Sequence, residues 1–577
     1  MKKQRTKAQD TRYKIQDTNL LPHGGRPGGG LPHKPQVFDF PILLVAFLLL
    51  VASCKKLDLA PSDRYTELTF WQSSDNVNSA LNSIYRSLYS SDRIFYNEAL
   101  SDNAFTKLGV SSGVDALSSG NFTISLPRFQ NDWAFYYSGI KSCNIFLENV
   151  DKNNVLSGAV KDRMKAEARF VRAWHHFNLM KWWGDVPLLQ KDISPDEAKA
   201  VSRTPRADVL QFILNELDAV TAALPKNTQY AKTDLGRITR GAALALKARV
   251  LLYEGNRMSD VVTICEQLIN DQGQNGTYTL AADYTSVFSD KVVNKESTES
   301  ILSLQYVPQL WVWSDYIDFA PISVGARTNN LSPAQELVNA YIMTNGKAIN
   351  DAGSGYDENN PYKNRDPRLA ATIVYDQYKW INPDGSSQTI YIKPGSAPAG
   401  QGANEYSRAG QGTASGYYWR KYWDPNYAAP GFSSGLNLHL IRYAEVLLMY
   451  AEAKNSLGQM TADVWNKTIK PIRARAGFTD AGALDFPGTG NLTEIIRNER
   501  RVEFAMEGIR VDDIRRWKIA ETVMNGWVHG AKFGDPATDN GYIQVGLRVF
   551  DKNRHYLWPV PPSERALNTN LSQNNGY

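Results

Sequence analysis

The stretch NLTEIIRNERRVEFAMEGIRVDDIRRWK, Asn491 to Lys518, decides how this chain is read. Asn491 followed three residues later by Glu494 is a helix-start signature, because side-chain oxygens there take up backbone N–H groups that a first turn leaves unpaired. Leu492, Ile495, Val502, Ala505 and Met506 then recur at helical spacing and form an apolar stripe. Glu499, Glu503 and Glu507 fall four apart, so a continuous helix sets them on one face. Arg497, Arg500, Arg501, Arg510, Arg515 and Arg516 surround them. Glu503 and Glu507, one turn apart, have roughly the ~5 Å spacing of a retaining glycosidase. A general acid needs a raised pKa, however, and neighbouring guanidinium groups lower it. The stretch reads as a partly buried Arg–carboxylate lattice fixing a helix against its neighbours, and no catalytic residue is assigned.

The helical rhythm continues upstream. Val77, Leu81, Ile84, Tyr85 and Leu88 predict a helix after Thr66; Trp133 to Val150 and Val160 to Trp183 predict two more. The last stops at Gly184-Asp185-Val186-Pro187, where Gly and Pro end a helix. His175 and His176 within it point ~100° apart, so they cannot share a metal as an i,i+4 pair does and are read as core. Pro205 to Leu224 and Gly236 to Gly255 form a further pair, the second rich in small residues that allow close approach. Ala173-x3-Phe177 and Ala444 to Ala453 carry a small-to-large rhythm like that of tetratricopeptide hairpins. The fold class expected is mainly α: a tetratricopeptide-like scaffold of helical hairpins with a loop-rich insertion carrying short β-strands.

That insertion lies at 270–435, rich in Gly, Asn, Asp, Pro and aromatics, with strand-like runs at Ser300 to Leu304 and Thr389 to Ile392. Loops on a rigid scaffold commonly carry binding function, so the site is sought here. Gln309-Leu-Trp311-Val-Trp313-Ser-Asp315-Tyr316 is its densest aromatic cluster, and in an extended chain Trp311 and Trp313 share a face. Asp351 to Asn360 has scattered oxygen ligands without the register of a calcium loop, so no metal is assigned. HExxH, paired CxxC, GxSxG and phosphate-loop motifs are all absent, and no cofactor is assigned.

Residues 1–53 read as a leader outside the fold. Ile42 to Ala52 is an apolar run too short to span a bilayer and of the right length for a signal-peptide core. Val51-Ala52-Ser53-Cys54 then resembles a bacterial lipobox, implying cleavage before Cys54 and acylation of its thiol. The long segment before the apolar run, with Asp39 beside it, points to a start codon downstream of Met1. The leader carries eight Lys/Arg against three Asp/Glu, a surplus equal to the +5 of the whole chain, so the mature part is near neutral. The basic pI therefore gives no reason to expect nucleic acid. Cys143 and Cys265 sit in apolar helical contexts and read as buried thiols. The remaining 524 residues, with no long linker, suggest one body in two halves, 54–265 and 266–577.

Several segments in order resemble the SusD/RagB family of outer-membrane nutrient-binding lipoproteins. They are Cys54 to Pro61, Phe70-Trp71, EARFVRAW from Glu167, Gly184 to Pro187, GRITRGAALALKAR from Gly236, and NPYKNRDPRL from Asn360. RYAEVLLMYAEA from Arg442, the Asn491 stretch, and YLWPVPP from Tyr556 complete them. The resemblance implies a lipid-anchored, cell-surface protein of the outer membrane, without enzymatic activity. Such a protein captures oligosaccharides, or in some branches peptides, and delivers them to a partner TonB-dependent transporter resembling SusC. An outer-membrane glycosidase using Glu503 and Glu507 is the third reading. For sugar capture, aromatic faces stack on pyranose rings while polar groups bond hydroxyls. Trp311, Trp313 and Tyr316 are the candidates by composition, and Asp102, Asn103 and Arg327 by their place in the family pattern.

Overall fold

The structure, a computed structural model, describes residues 67–107, 113–424, 433–488 and 490–577. The leader and Cys54 lie outside the described residues. From Thr66 to Tyr577 the chain forms one unit, built around helices α1 (Ser74–Arg86), α2 (Pro127–Asn149), α3 (Gly158–Trp183), α4 (Arg206–Ala223), α5 (Arg240–Glu254), α6 (Met258–Ile269), α7 (Tyr443–Ser456), α8 (Leu492–Glu503) and α9 (Arg510–Arg516). Each of α2 to α8 packs on the next, giving a continuous stack of antiparallel-type hairpins around a mainly α core. The chain leaves that stack after α6 and rejoins it at α7, and residues 270–442 supply most of the strands and loops between.

Local chemistry explains the stack. Ser157 caps α3 by accepting from the Val160 N–H, and Gly184, at φ +73°, ends it. Between Met164 and Trp183 nearly every side chain of α3 is buried, because α2 and α4 cover it from both sides. Arg172 holds the three together, donating to Asn144 Oδ1 on α2 and Glu216 Oε2 on α4, both at 2.8 Å. Gly241, Ala242, Ala243, Ala245 and Ala248 are all buried on α5 and let its neighbours approach closely. His175 and His176 are fully buried, and burial pushes their pKa values down to about 3 and about 4, so both are neutral core residues. Cys143 and Cys265 are free, buried thiols whose pKa burial raises.

Two helix readings are corrected. The helix expected after Thr66 is broken at Trp71, and α1 restarts with Ser73 as its cap. Glu507 does not share a helix with Glu503: α8 ends at Glu503, and Met506 and Gly508 turn left-handed at φ +65° and +71°. Gly508 is required there, since a Cβ would sit 2.8 Å from the Ile94 carbonyl oxygen.

The strands pair only in twos, all antiparallel. The pair that positions the candidate site joins β1 (Ser300–Leu304) to β2 (Leu438–Arg442), with Ser300 opposite Arg442 and Leu304 opposite Leu438. β2 runs directly into α7. One end of this ribbon therefore meets the charged lattice, and the other opens on the loops after Leu304.

Candidate functional site

Arg442, at the end of β2, enters the lattice read from the Asn491 stretch. Its guanidinium bonds both Glu507 oxygens at 2.8 Å and Glu503 Oε1 at 3.0 Å. Arg475 and Arg368 also reach Glu503, at 2.6 and 3.0 Å, and the Lys421 ammonium reaches Glu507 at 2.6 Å. Burial alone would raise the Glu503 carboxyl, but Arg475, Arg442 and Arg368 outweigh it and hold the pKa down at about 2. Glu507 is also lowered, burial again opposing, by Arg442 and Lys421. A carboxylate that is fully buried, triply paired and this acidic cannot protonate a glycosidic oxygen. The pair is a structural clamp, and the glycosidase reading loses its residues.

At the other end of the ribbon, β1 leads to Gln305 and Tyr306 and then to a tight turn. Val307 and Trp311 exchange backbone hydrogen bonds of 2.7 and 2.8 Å, with Gln309 at its tip in the left-handed region. Trp311 is thereby left 42% exposed. Its ring lies nearly parallel to that of Tyr306, 14° between planes and 6.4 Å between centroids. The Arg86 guanidinium, from the last residue of α1, sits 4.5 Å from the Trp311 centroid. These residues border a groove of about 450 Å³ whose wall also includes Asn82, Asp234, Gly236, Arg237 and Gln305. Arg237 is held by Asp234 at 2.6 Å and Glu167 at 3.2 Å.

The platform is braced from behind. Asn437 Oδ1 accepts from the Tyr306 N–H at 3.0 Å and from Lys295 Nζ at 2.8 Å, while its amide donates to Gln305 Oε1 at 2.9 Å. Lys295 also donates to the Tyr306 carbonyl at 2.7 Å. Burial lowers the Lys295 pKa to about 8, partly offset by Asp424. An aromatic shelf flanked by amides and guanidinium groups offers a sugar both an apolar face and hydroxyl partners.

Family models match two stretches of the chain. One described as the SusD family covers residues 314–577, and one described as "Starch-binding associating with outer membrane" covers residues 57–252. Among solved structures, a SusD-like carbohydrate binding protein from Bacteroides fragilis superposes with a TM-score of 0.77 at 30% identity, covering 87% of this chain and 100% of that one. The chain belongs to the SusD family. Among curated SusD-like relatives, protein P25 of Formosa agariphila is 24% identical across 92% of this chain and 99% of the relative. A Bacteroides ovatus SusD-like protein is 25% identical across 82% of each.

In this SusD-family chain only Trp311, of the six binding residues named from sequence, lines the groove. Trp313 is 3% exposed: it pairs with Ser434, its indole N–H donates to the Leu436 carbonyl at 2.8 Å, and its ring packs on Phe95. The shared face expected of the two tryptophans is not realised. Tyr316 is likewise core, its hydroxyl donating to the Lys421 carbonyl. Asp102 is buried between Arg510 and Arg501, at 2.8 and 3.0 Å; burial opposes, but the two guanidiniums hold its carboxyl well below the usual range. Asn103 accepts from Arg501 at 2.8 Å and donates to Glu98 at 3.1 Å. These two are buried and tie the N-terminal region to α8 and α9. Arg327 is exposed but paired with Asp318 at 2.9 Å, away from the groove wall. Among the described residues, no three His, Cys, Asp or Glu side chains gather to hold a metal.

Sequence reasoning missed Tyr306, Arg86, Asn82, Gln305, Asp234 and Arg237. Only Tyr306 carried a signal, as an aromatic immediately after a readable strand.

Proposed function

We propose that this SusD-family protein is a lipid-anchored surface protein that captures oligosaccharides in the Trp311 groove and hands them to a partner TonB-dependent transporter. The observation that carries the reading is the exposed Trp311 ring, near-parallel to Tyr306 and braced from β1 and β2. Large exposed aromatics fixed on a rigid shelf are what sugar stacking requires, since stacking on a mobile ring would cost the entropy of ordering it. The carbohydrate-binding B. fragilis relative and the family description "Starch-binding associating with outer membrane" support the same class and place. The lipobox ending at Cys54 supports the anchor. Membership of the SusD family supports delivery to a transporter as the role of the captured glycan.

The test is retention on a glycan array set beside a peptide pool. Retention of oligosaccharides that Trp311→Ala abolishes is the result expected. Retention of peptides alone would transfer the groove to the peptide-binding branch.

A further inference from the structure

We infer that the Trp311 groove selects acidic saccharides, those carrying a carboxylate or sulfate beside a pyranose face. This rests on the reading of the groove as a sugar site and narrows it to a class of ligand.

The argument is a census of charge along the wall. On the wall, Arg237 is paired with Asp234 at 2.6 Å and with Glu167 behind it at 3.2 Å, and Glu167 also holds Arg163 beyond the wall at 2.8 Å. Arg86 stands apart. It is exposed at the end of α1, its guanidinium over the Trp311 ring, and among the described residues it makes no ion pair or hydrogen bond. Behind Tyr306 and off the groove wall, the Lys295 ammonium rests on the Tyr306 carbonyl and Asn437 Oδ1 and is attracted by Asp424, so it adds nothing to the balance on the wall. Asp92 and Asp315, whose charges act on Tyr306, do not line the groove. The wall therefore carries an uncompensated positive charge at the aromatic shelf itself.

Geometry turns that surplus into selectivity. A guanidinium lying over an indole keeps its in-plane N–H edge available, and that edge fits a carboxylate or sulfate through two parallel bonds. A neutral sugar stacking on the same ring has to displace Arg86 and gives it no counter-charge in return. An acidic sugar keeps the arginine in place and occupies its donors. Arg86 thus acts as a specificity-determining residue, with the exposed Trp311 ring, backed by the buried Tyr306, supplying affinity common to both kinds of sugar.

The experiment is isothermal titration with oligogalacturonate and a sulfated galactan tetrasaccharide that has no uronate, each beside its neutral counterpart (carboxyl-reduced or desulfated). Wild type, Arg86→Gln and Trp311→Ala are compared at low and moderate salt. The inference expects at least one acidic ligand to bind tenfold or more tighter than its neutral counterpart in wild type. Arg86→Gln should erase that gap by weakening the acidic ligand, with the neutral ligand bound as well as before or better because no arginine has to be displaced, and added salt should narrow it. Acidic ligands that bind no better than neutral ones, or an Arg86→Gln variant weakened equally for both, would overturn the acidic preference. In either case a loss of binding in Trp311→Ala would leave the sugar groove standing. Saccharide binding that Trp311→Ala does not affect would instead remove the groove reading, and this inference with it.

Discussion

Trp311 and Trp313 are two residues apart, and their backbone partners give them different environments. Trp311 closes a turn on Val307 and stays on the rim, whereas Trp313 bridges to Ser434 and is drawn into the core beside Phe95 and Tyr422. Alternation along an extended chain gives two such side chains one face only when they share one pairing partner, and here Trp311 bridges back to Val307 while Trp313 bridges to Ser434. The same scale decides Glu503. Its folded pKa of about 2 lies below the ordinary 4.5, so its contribution to stability is present above pH 4.5 and is lost as pH falls toward 2. Glu503→Gln should cost on the order of 3–5 kcal/mol at pH 7, because it leaves Arg475, Arg442 and Arg368 partly unpaired in the interior. Melting curves at pH 7 and pH 2.5 check this. The deficit of the variant should shrink in acid, and a deficit independent of pH would contradict the lattice account.

At the scale of elements, the groove depends on the ribbon that carries it. Gly435 lets the chain before β2 pass against the turn: a Cβ there would lie 2.5 Å from the Pro308 nitrogen. Gly435→Ala should therefore displace the Trp311 turn and weaken ligand binding about tenfold or more, while α2 to α8 keep their stability. A structure of the variant, with titration of the same ligand, tests it; an undisturbed turn would contradict the account. The long helices were legible because their apolar residues recur at 3.6 spacing and Gly and Pro mark an end, as at Gly184 and Pro187. The end of α8 was not legible. Charge and apolar spacing continue unbroken through Glu507, although the helix stops at Glu503 and the chain turns left-handed at Met506 and Gly508, the latter packed against the Ile94 carbonyl.

For the whole molecule, the stack α2 to α8 is a set of neighbour contacts, each local in sequence except the closure of α6 on α7. Such a fold can be read from periodicity alone. The candidate site cannot, because Arg86, Asp234, Gln305 and Trp311 come from three separated stretches and meet only through tertiary packing. Asp102 and Asn103 show the converse: polar residues that sequence assigns to a ligand are consumed by Arg501 and Arg510. At this scale the proposed anchor makes its own prediction. If acylation of Cys54 supplies the attachment, Cys54→Ala should leave a folded protein that no longer partitions with membranes when the proposed partner transporter is deleted. Membrane fractionation reads the outcome, and unlipidated protein still in the outer-membrane fraction would count against it.

The central claim, that the Trp311 shelf is where this protein holds its ligand, is tested most directly by calorimetric titration of the array-identified oligosaccharide, paired with thermal melts. The variants are Trp311→Ala and Trp313→Ala. Trp311→Ala should lose ~2 kcal/mol or more of binding, roughly thirtyfold in affinity, at an unchanged melting temperature. Trp313→Ala should lower the melting temperature, because removing a core tryptophan costs roughly 3–5 kcal/mol. Unchanged affinity in folded Trp311→Ala would contradict the claim.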